Sequence, residues 1–541
     1  MSSTAEESRP APTAQTAAAE HDITTRPSVD RYVFGIAAAI SLLFLVSGAI
    51  DPDGLADATS GILSWITGSF GWLFVLSSAF FVIFSAYLAL TRYGNIKLGK
   101  DEDEPEFSTF SWVSMMFATG MGIGLMFYGV AEPLTHLNTP PLGLAEPASG
   151  EGARLAMEYT YFHWGFHPWA MYAVIGLSIA YFAYRKDRGN LISATFHPLI
   201  GDRANGPAGK AIDIVAIFAT LFGSATSLGL GALQITGGLG EVFGTKTDSK
   251  VAAVSVIAVL TVCFVLSAIS GIDKGIKWLS NANAVAAALL VFFLFVVGPT
   301  VFILSTFTES MGAYLTTLPT MSFRTGAFGG GDWISGWTIF YWAWWISWTP
   351  FVGMFIARIS KGRTIRQFVI FVILVPSLVS FAWFAILGGA AFDLQLNQKV
   401  DMAGELKTGL ENALFFTLRE FPASGVTVVL AIFLIAIFFI TGADSASIVM
   451  GMLSQRGTEH PNRTLTVFWG VATGAVAGVL LVAGGLQALQ TLVIIVAGPF
   501  LLILLGLCLS LVKSLRAESF EATLRPKVRK AVIHAEKFPN D

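Results

Sequence analysis

The run GVTVVLAIFLIAIFFITGADSASIVMGML, residues 425–453, carries one charged side chain, Asp444. It is long enough to cross a hydrocarbon core of about 30 Å as a helix, the conformation in which a backbone in lipid satisfies its own hydrogen bonds. Similar runs recur near 33–50, 71–91, 108–131, 166–184, 211–240, 251–270, 283–306, 336–357, 367–390, 465–484 and 489–513. An all-α membrane protein with twelve transmembrane helices is predicted. The composition agrees: of 541 residues 54% are hydrophobic and 13% charged, too apolar for a soluble chain of this length.

With the N-terminus inside, the inner loops hold about sixteen Lys and Arg and the outer loops about seven, which places both termini in the cytoplasm. Residues 1–30 are polar, lack an apolar core and read as a disordered cytoplasmic tail, not a signal peptide. Residues 514–541 read as a basic cytoplasmic tail, with Arg525, Lys527, Arg529 and Lys530 among its charges. The net charge of −3 is small, and no nucleic-acid partner is expected. Cys263 and Cys508 fall in apolar runs and are expected to behave as small buried hydrophobes; neither a disulfide framework nor a cysteine metal site is indicated.

Backbone breaks and polar groups at mid-span are costly in lipid unless they line a cavity, so they mark candidate sites. In Ala118-Thr119-Gly120-Met121-Gly122-Ile123-Gly124, three glycines at alternate positions each weaken a helix by about 1 kcal/mol relative to Ala. The run can unwind and offer backbone groups to a ligand, or it can serve close helix packing. In Trp164-Gly165-Phe166-His167-Pro168-Trp169-Ala170-Met171-Tyr172, a kink at Pro168 would let Trp164 join Trp169 and Tyr172; an interfacial aromatic belt is the alternative. Residues 342–348 hold four tryptophans in seven positions, more than a belt needs, with Pro350 just beyond. Indole faces attract a desolvated cation by about 2 kcal/mol or more, and a quaternary ammonium, which donates no hydrogen bond, suits such a cage. Thr220, Ser224 and Ser227 share one face of the fifth span, either bonding back to their own helix or ligating a bare cation. Asp444 is an intramembrane carboxylate and for that reason a candidate; pairing with a neighbouring helix is the alternative. His163 and His167 stand at i, i+4, but no acidic or cysteine partner follows in a metal-ligand pattern, so an enzyme is not indicated. A channel would need a continuous polar pore and is the rival from another class.

The interrupted third and eighth spans open two groups of five, spans 3–7 and 8–12, the placement expected of an inverted-repeat carrier with its site at the midplane. The expected division is then 1–30 tail, 31–100 two peripheral helices, 101–306 first repeat, 307–513 second repeat and 514–541 tail.

The runs Met121-Gly122-Ile123-Gly124-Leu125-Met126-Phe127-Tyr128-Gly129 with Glu132-Pro133-Leu134, and Trp342-Ala343-Trp344-Trp345-Ile346-Ser347-Trp348, closely resemble the betaine/carnitine/choline transporter family over roughly residues 31–513. The resemblance implies a LeuT-like fold of two inverted five-helix repeats, a homotrimer in a bacterial inner membrane, and uptake of a zwitterionic osmolyte such as glycine betaine. Ectoine, proline and dimethylsulfoniopropionate are the alternatives. It places an aromatic box on Trp164, Trp169, Tyr172 and Trp345, with Trp348 and Ser227 beside the path. Backbone groups of Gly120, Met121 and Gly122 would meet the substrate carboxylate. Relatives that carry choline tend to have Asp where Gly124 stands, so a glycine there fits a zwitterion. No cofactor is implied beyond sodium as coupling ion. One sodium site would use Thr220, Ser224 and the Phe351 ring. The second would use Ala118, Met121, Phe438 and Thr441, where Gly442 replaces the serine of sodium-coupled relatives and leaves proton coupling or exchange open. The short C-terminal tail, with Pro526, implies at most moderate osmotic activation.

Overall fold

The computed structural model describes residues 28–120, 122–244, 249–270, 273–398 and 400–524. Apart from an isolated bridge between Lys97 and Thr364, the described residues are helices and their connections. The longer helices are α1 Arg31–Ile50, α2 Pro52–Leu90, α3 Thr109–Gly120, α4 Ile123–Asn138, α5 Gly150–Trp164, α6 Phe166–Ala180, α7 Pro207–Phe243, α8 Lys250–Ser270, α9 Asp273–Val297, α10 Thr300–Ser322, α11 Phe340–Arg358, α12 Ile365–Leu396, α13 Ala413–Arg419, α14 Ser424–Ser454 and α15 Arg463–Arg516.

Among the described residues, nine helical stretches are long and apolar enough to cross a membrane. Three of the expected spans do not stand among them as separate helices, each for a local reason. The run at 108–131 is divided into α3 and α4, and neither half alone has the length. In α11, Trp, Tyr, Ser and Thr dilute the hydropathy. The runs at 465–484 and 489–513 are joined in α15, whose 54 residues would reach about 80 Å at 1.5 Å per residue, over twice a hydrocarbon core. Gly484 and Gly485 interrupt it, and the φ of +61° at Gly485 is one that side-chain-bearing residues seldom adopt.

Several expectations are corrected. α2 begins at Pro52, well before residue 71, because Pro52 suits a first helical turn and Asp51 caps it by accepting from Gly54 N–H at 2.9 Å. The run at 283–306 straddles a helix boundary: α9 ends at Val297 and α10 starts at Thr300, with Gly298 and Pro299 between. The expected domain boundary at 306/307 therefore falls inside α10. Cys263 is exposed on α8, and only Cys508 is buried. The start of the C-terminal segment is anchored to the helices. Burial alone would raise the Glu518 carboxyl, but hydrogen bonds from Arg185, Lys186 and Tyr181 outweigh it and hold it down at about 2. That anchor is complete above the ordinary glutamate range near 4.5 and is lost only as pH falls towards 2.

The α5–α6 pair and α7 form the centre; 89% and 83% of their most apolar stretches are buried, against 22% for α8, which is peripheral. α7 packs along α15 and α14, and α11 lies against both α6 and α7. Glycines set the closeness of these crossings. A Cβ on Gly176 of α6 would stand 3.3 Å from the carbonyl oxygen of Gly353 in α11. A Cβ on Gly223 of α7 would stand 3.0 Å from Trp348 of α11. The small residues let α6, α7 and α11 approach at the level where the aromatic residues lie.

Candidate functional site: an aromatic cavity between three helices

The chain breaks at Gly165 (φ −98°, ψ −125°), between α5 and α6, and not at Pro168 as expected. Pro168 occupies the first turn of α6, where a missing N–H leaves no bond unmade. A Cβ at residue 165 would meet the Tyr161 carbonyl oxygen and the Phe381 ring at 2.6 Å, so a glycine is what the turn admits. The break turns Trp164 towards the face that carries Trp169 and Tyr172.

Trp164, Trp169, Tyr172, Trp345 and Trp348 line one cavity, completed by Pro168, Val352 and Ser380. Its rings meet as walls. Trp164 and Trp345 lie 4.8 Å apart at 73°, Trp169 and Tyr172 5.4 Å at 77°, and Tyr172 and Trp345 6.4 Å at 78°. Trp344 stacks behind Trp345 at 4.9 Å and 12°. The indole N–H groups are engaged with protein: Trp345 donates to the His163 carbonyl (2.9 Å), Trp348 to the Gly223 carbonyl (3.0 Å) and Trp164 to Glu132 Oε2 (2.7 Å). What these three offer the cavity is aromatic surface. Among the described residues, no charged side chain lines it. Such a chamber suits a compact organic cation that needs no hydrogen-bond acceptor.

Ser227 is buried on α7 but bonds weakly back to the Gly223 carbonyl (3.4 Å) and does not line the cavity. The glycine run is broken as expected: α3 closes at Gly120 and α4 opens at Ile123, with Gly122 extended (φ −157°, ψ −171°). Ala118 and Gly120 belong to the last turn of α3, and Met121 lies outside the described residues. A Cβ on Gly124 would stand 3.0 Å from the indole ends of both Trp164 and Trp344.

Of the first candidate cation set, Thr220 and Ser224 are buried on α7 on either side of Gly223, where Trp348 docks. Phe351 is one turn further along α11, edge-on to Trp348 at 5.5 Å. Thr220 also bonds back to the Ala216 carbonyl at 2.9 Å. Of the second set, Phe438 is buried, and Thr441 donates to the Ile437 carbonyl at 2.9 Å. The space around Gly442 is open, with no atom within 4 Å of a Cβ built there. Asp444 is half-buried and engaged.

Sequence reasoning missed a buried polar knot behind the cavity. Glu132 Oε2 accepts from Trp164 and from the Tyr341 hydroxyl (2.5 Å), and Oε1 lies 2.7 Å from His163 Nδ1. The acidic partner absent from the local pattern of His163 is thus supplied by α4, 31 residues upstream. Its place at the end of the apolar run near 108–131, within the Glu132-Pro133-Leu134 motif, is the signal that could have flagged it. Glu132, His136 and His163 bring ligand-type atoms within 4.8 Å of one another. The three are wholly buried, Oε1 is already paired with His163, and the Trp333 and Trp337 rings pack on His136 at 5.3 and 4.4 Å. Glu132 and His163 are hydrogen-bonded to each other, whereas His136 is held by ring packing, its Nε2 3.5 Å from Glu132 Oε1 and neither of its nitrogens in a hydrogen bond among the described residues.

The family described as betaine/carnitine/choline family transporter matches residues 32–520. The glycine betaine transporter OpuD of Bacillus subtilis is 47% identical over 510 residues, covering 92% of this chain and 98% of that one. The betaine/ectoine transporter LcoP of Corynebacterium glutamicum is 41% identical over 510 residues, 93% of this chain and 80% of its own. The ectoine/hydroxyectoine transporter of Virgibacillus pantothenticus is 40% identical over 490 residues, 91% and 97% of the two.

Proposed function

Because the chain belongs to the betaine/carnitine/choline transporter family, and is a multi-pass membrane transporter and not an enzyme, we propose that it imports a zwitterionic osmolyte, glycine betaine first. The observation that carries this reading is the uncharged cavity walled by Trp164, Trp169, Tyr172, Trp345 and Trp348. A methylated ammonium gains about 2 kcal/mol or more from desolvated ring faces and needs no protein carboxylate when the substrate brings its own. Gly122, extended at the break between α3 and α4, supports contact between backbone and the substrate carboxylate. The names of the relatives make ectoine the second reading.

The transport unit in this proposal has twelve spans: the α3–α4 pair acts as one broken span, α11 as another, and α15 as two passes. Spans 3–12 form the inverted repeats, the protein is a homotrimer in the bacterial inner membrane, and both termini are cytoplasmic. Sodium is the coupling ion, bound by Thr220, Ser224 and Phe351 and, more weakly, by Ala118, Met121, Phe438 and Thr441.

Uptake of labelled betaine, ectoine, proline and choline into proteoliposomes, with sodium and proton gradients imposed separately, tests the whole reading. Uptake rising linearly with concentration, without saturation, would favour a channel. Thr220→Ala is expected to raise the sodium needed for half-maximal uptake about fivefold, the worth of one lost oxygen ligand. An unaltered sodium dependence would reject the first cation site. Gly442→Ser adds a hydroxyl into open space and is expected to lower the sodium requirement; no change would mean that the second site is not used.

A further inference from the structure

The cavity explains what faces the substrate, but not what keeps Trp164 in place at the end of a helix, beside a chain break. Its indole nitrogen is a donor only, so its orientation is dictated by the acceptor it meets, and that acceptor is Glu132. Glu132 comes from α4, Trp164 and His163 from α5, and Tyr341 from α11, so one carboxylate ties three helices together. It is wholly buried and does not line the cavity.

The knot reaches the opposite wall as well. Tyr341, held by Glu132, stacks on Trp345 at 5.9 Å and 21°. His163 binds Glu132 Oε1 with one ring nitrogen and Thr338 Oγ1 with the other (3.0 Å), while its carbonyl takes the Trp345 N–H. Both principal indoles of the box thus depend on groups that Glu132 orients. On the same α4, two turns earlier, a Cβ added at Gly124 would stand 3.0 Å from Trp164.

We propose that Glu132 is a positioning residue of the aromatic box, fixing the Trp164 indole directly and Trp345 through Tyr341 and His163. The inference rests on the betaine-carrier reading for its transport readouts.

Two variants separate position from charge. In Glu132→Gln the amide oxygen can accept from Trp164 and Tyr341, while its NH₂ donates to His163 Nδ1 once that ring carries its proton on Nε2, towards Thr338. Every bond of the knot survives, so the KM for betaine should stay within about threefold of wild type. Glu132→Ala leaves buried donors unmet and should raise KM about tenfold or more, with a smaller fall in maximal rate. In a Trp164→Phe background, which lacks the held N–H, the alanine penalty should shrink to about threefold or less. Gln as damaging as Ala, or an alanine penalty unchanged by Trp164→Phe, overturns the proposal.

A measurement that needs neither substrate nor a Glu132 variant stands beside these. Ultraviolet resonance Raman of wild type minus Trp164→Phe should show a strongly hydrogen-bonded indole N–H. A free indole signature overturns the proposal even if Glu132→Ala does not insert. Should wild type take up ectoine and not betaine, the carrier reading changes while the Raman result still decides the role of Glu132.

Discussion

Trp345→Leu is expected to abolish betaine uptake while the protein still inserts into the membrane. Trp345 is the ring on which the box converges: Trp164 and Tyr172 stand edge-on to it, and Trp344 and Tyr341 stack with it. Leucine fills part of the volume but has no quadrupole. The substrate loses about 2 kcal/mol or more of cation–π attraction, roughly thirtyfold in affinity. The His163 carbonyl also loses its donor, which costs about 1 kcal/mol and slackens the knot around Glu132. Trp345→Tyr keeps an aromatic face and should retain partial uptake. Labelled betaine uptake in proteoliposomes, normalised to reconstituted protein, is the measurement. Uptake by the leucine variant at the wild-type rate would remove the aromatic box from the mechanism.

The second large effect is expected at Gly124. Gly124→Asp should lower betaine uptake at least tenfold and give the carrier measurable choline uptake. Sterically, the new Cβ arrives 3.0 Å from Trp164 and from Trp344, so both rings must give by a few tenths of an ångström. Electrostatically, a carboxylate placed about 5 Å from the substrate's own would repel it by about 3 kcal/mol at an effective dielectric constant of about 20. It would at the same time attract a net cation, so the substitution works by rejection as much as by attraction. Gly124→Ala brings the Cβ without the charge and separates the two causes. Competition between betaine and choline for uptake by the three proteins reads the result. If the aspartate variant keeps its zwitterion uptake and gains none for choline, Gly124 does not set substrate charge.

Long-range pairing separates what was legible in the chain from what was not. The apolar runs announced a helical membrane protein because hydropathy is a property of consecutive residues. The glycine run at 118–124 announced a break for the same kind of reason, since weak helix propensity acts locally. The bend near Trp164 was also legible but was assigned to Pro168. A proline in a first helical turn costs nothing, and of the two contacts that require a glycine at 165, one is the local Tyr161 carbonyl and the other is the Phe381 ring, more than two hundred residues away. The boundary at Gly298–Pro299 was lost inside a run whose hydropathy does not change across it.

By itself, the sequence determined that this protein lives in lipid, which family signature it carries and which aromatic residues are abundant at its fourth and eighth spans. Only the tertiary structure decided that five of those rings enclose one cavity, that Ser227 stays outside it, and that Glu132 stands behind the wall. The physical reason is that hydropathy and helix propensity sum over neighbours along the chain. A buried carboxylate, by contrast, is satisfied only when α4, α5 and α11 have docked and brought His163, Trp164 and Tyr341 to its oxygens.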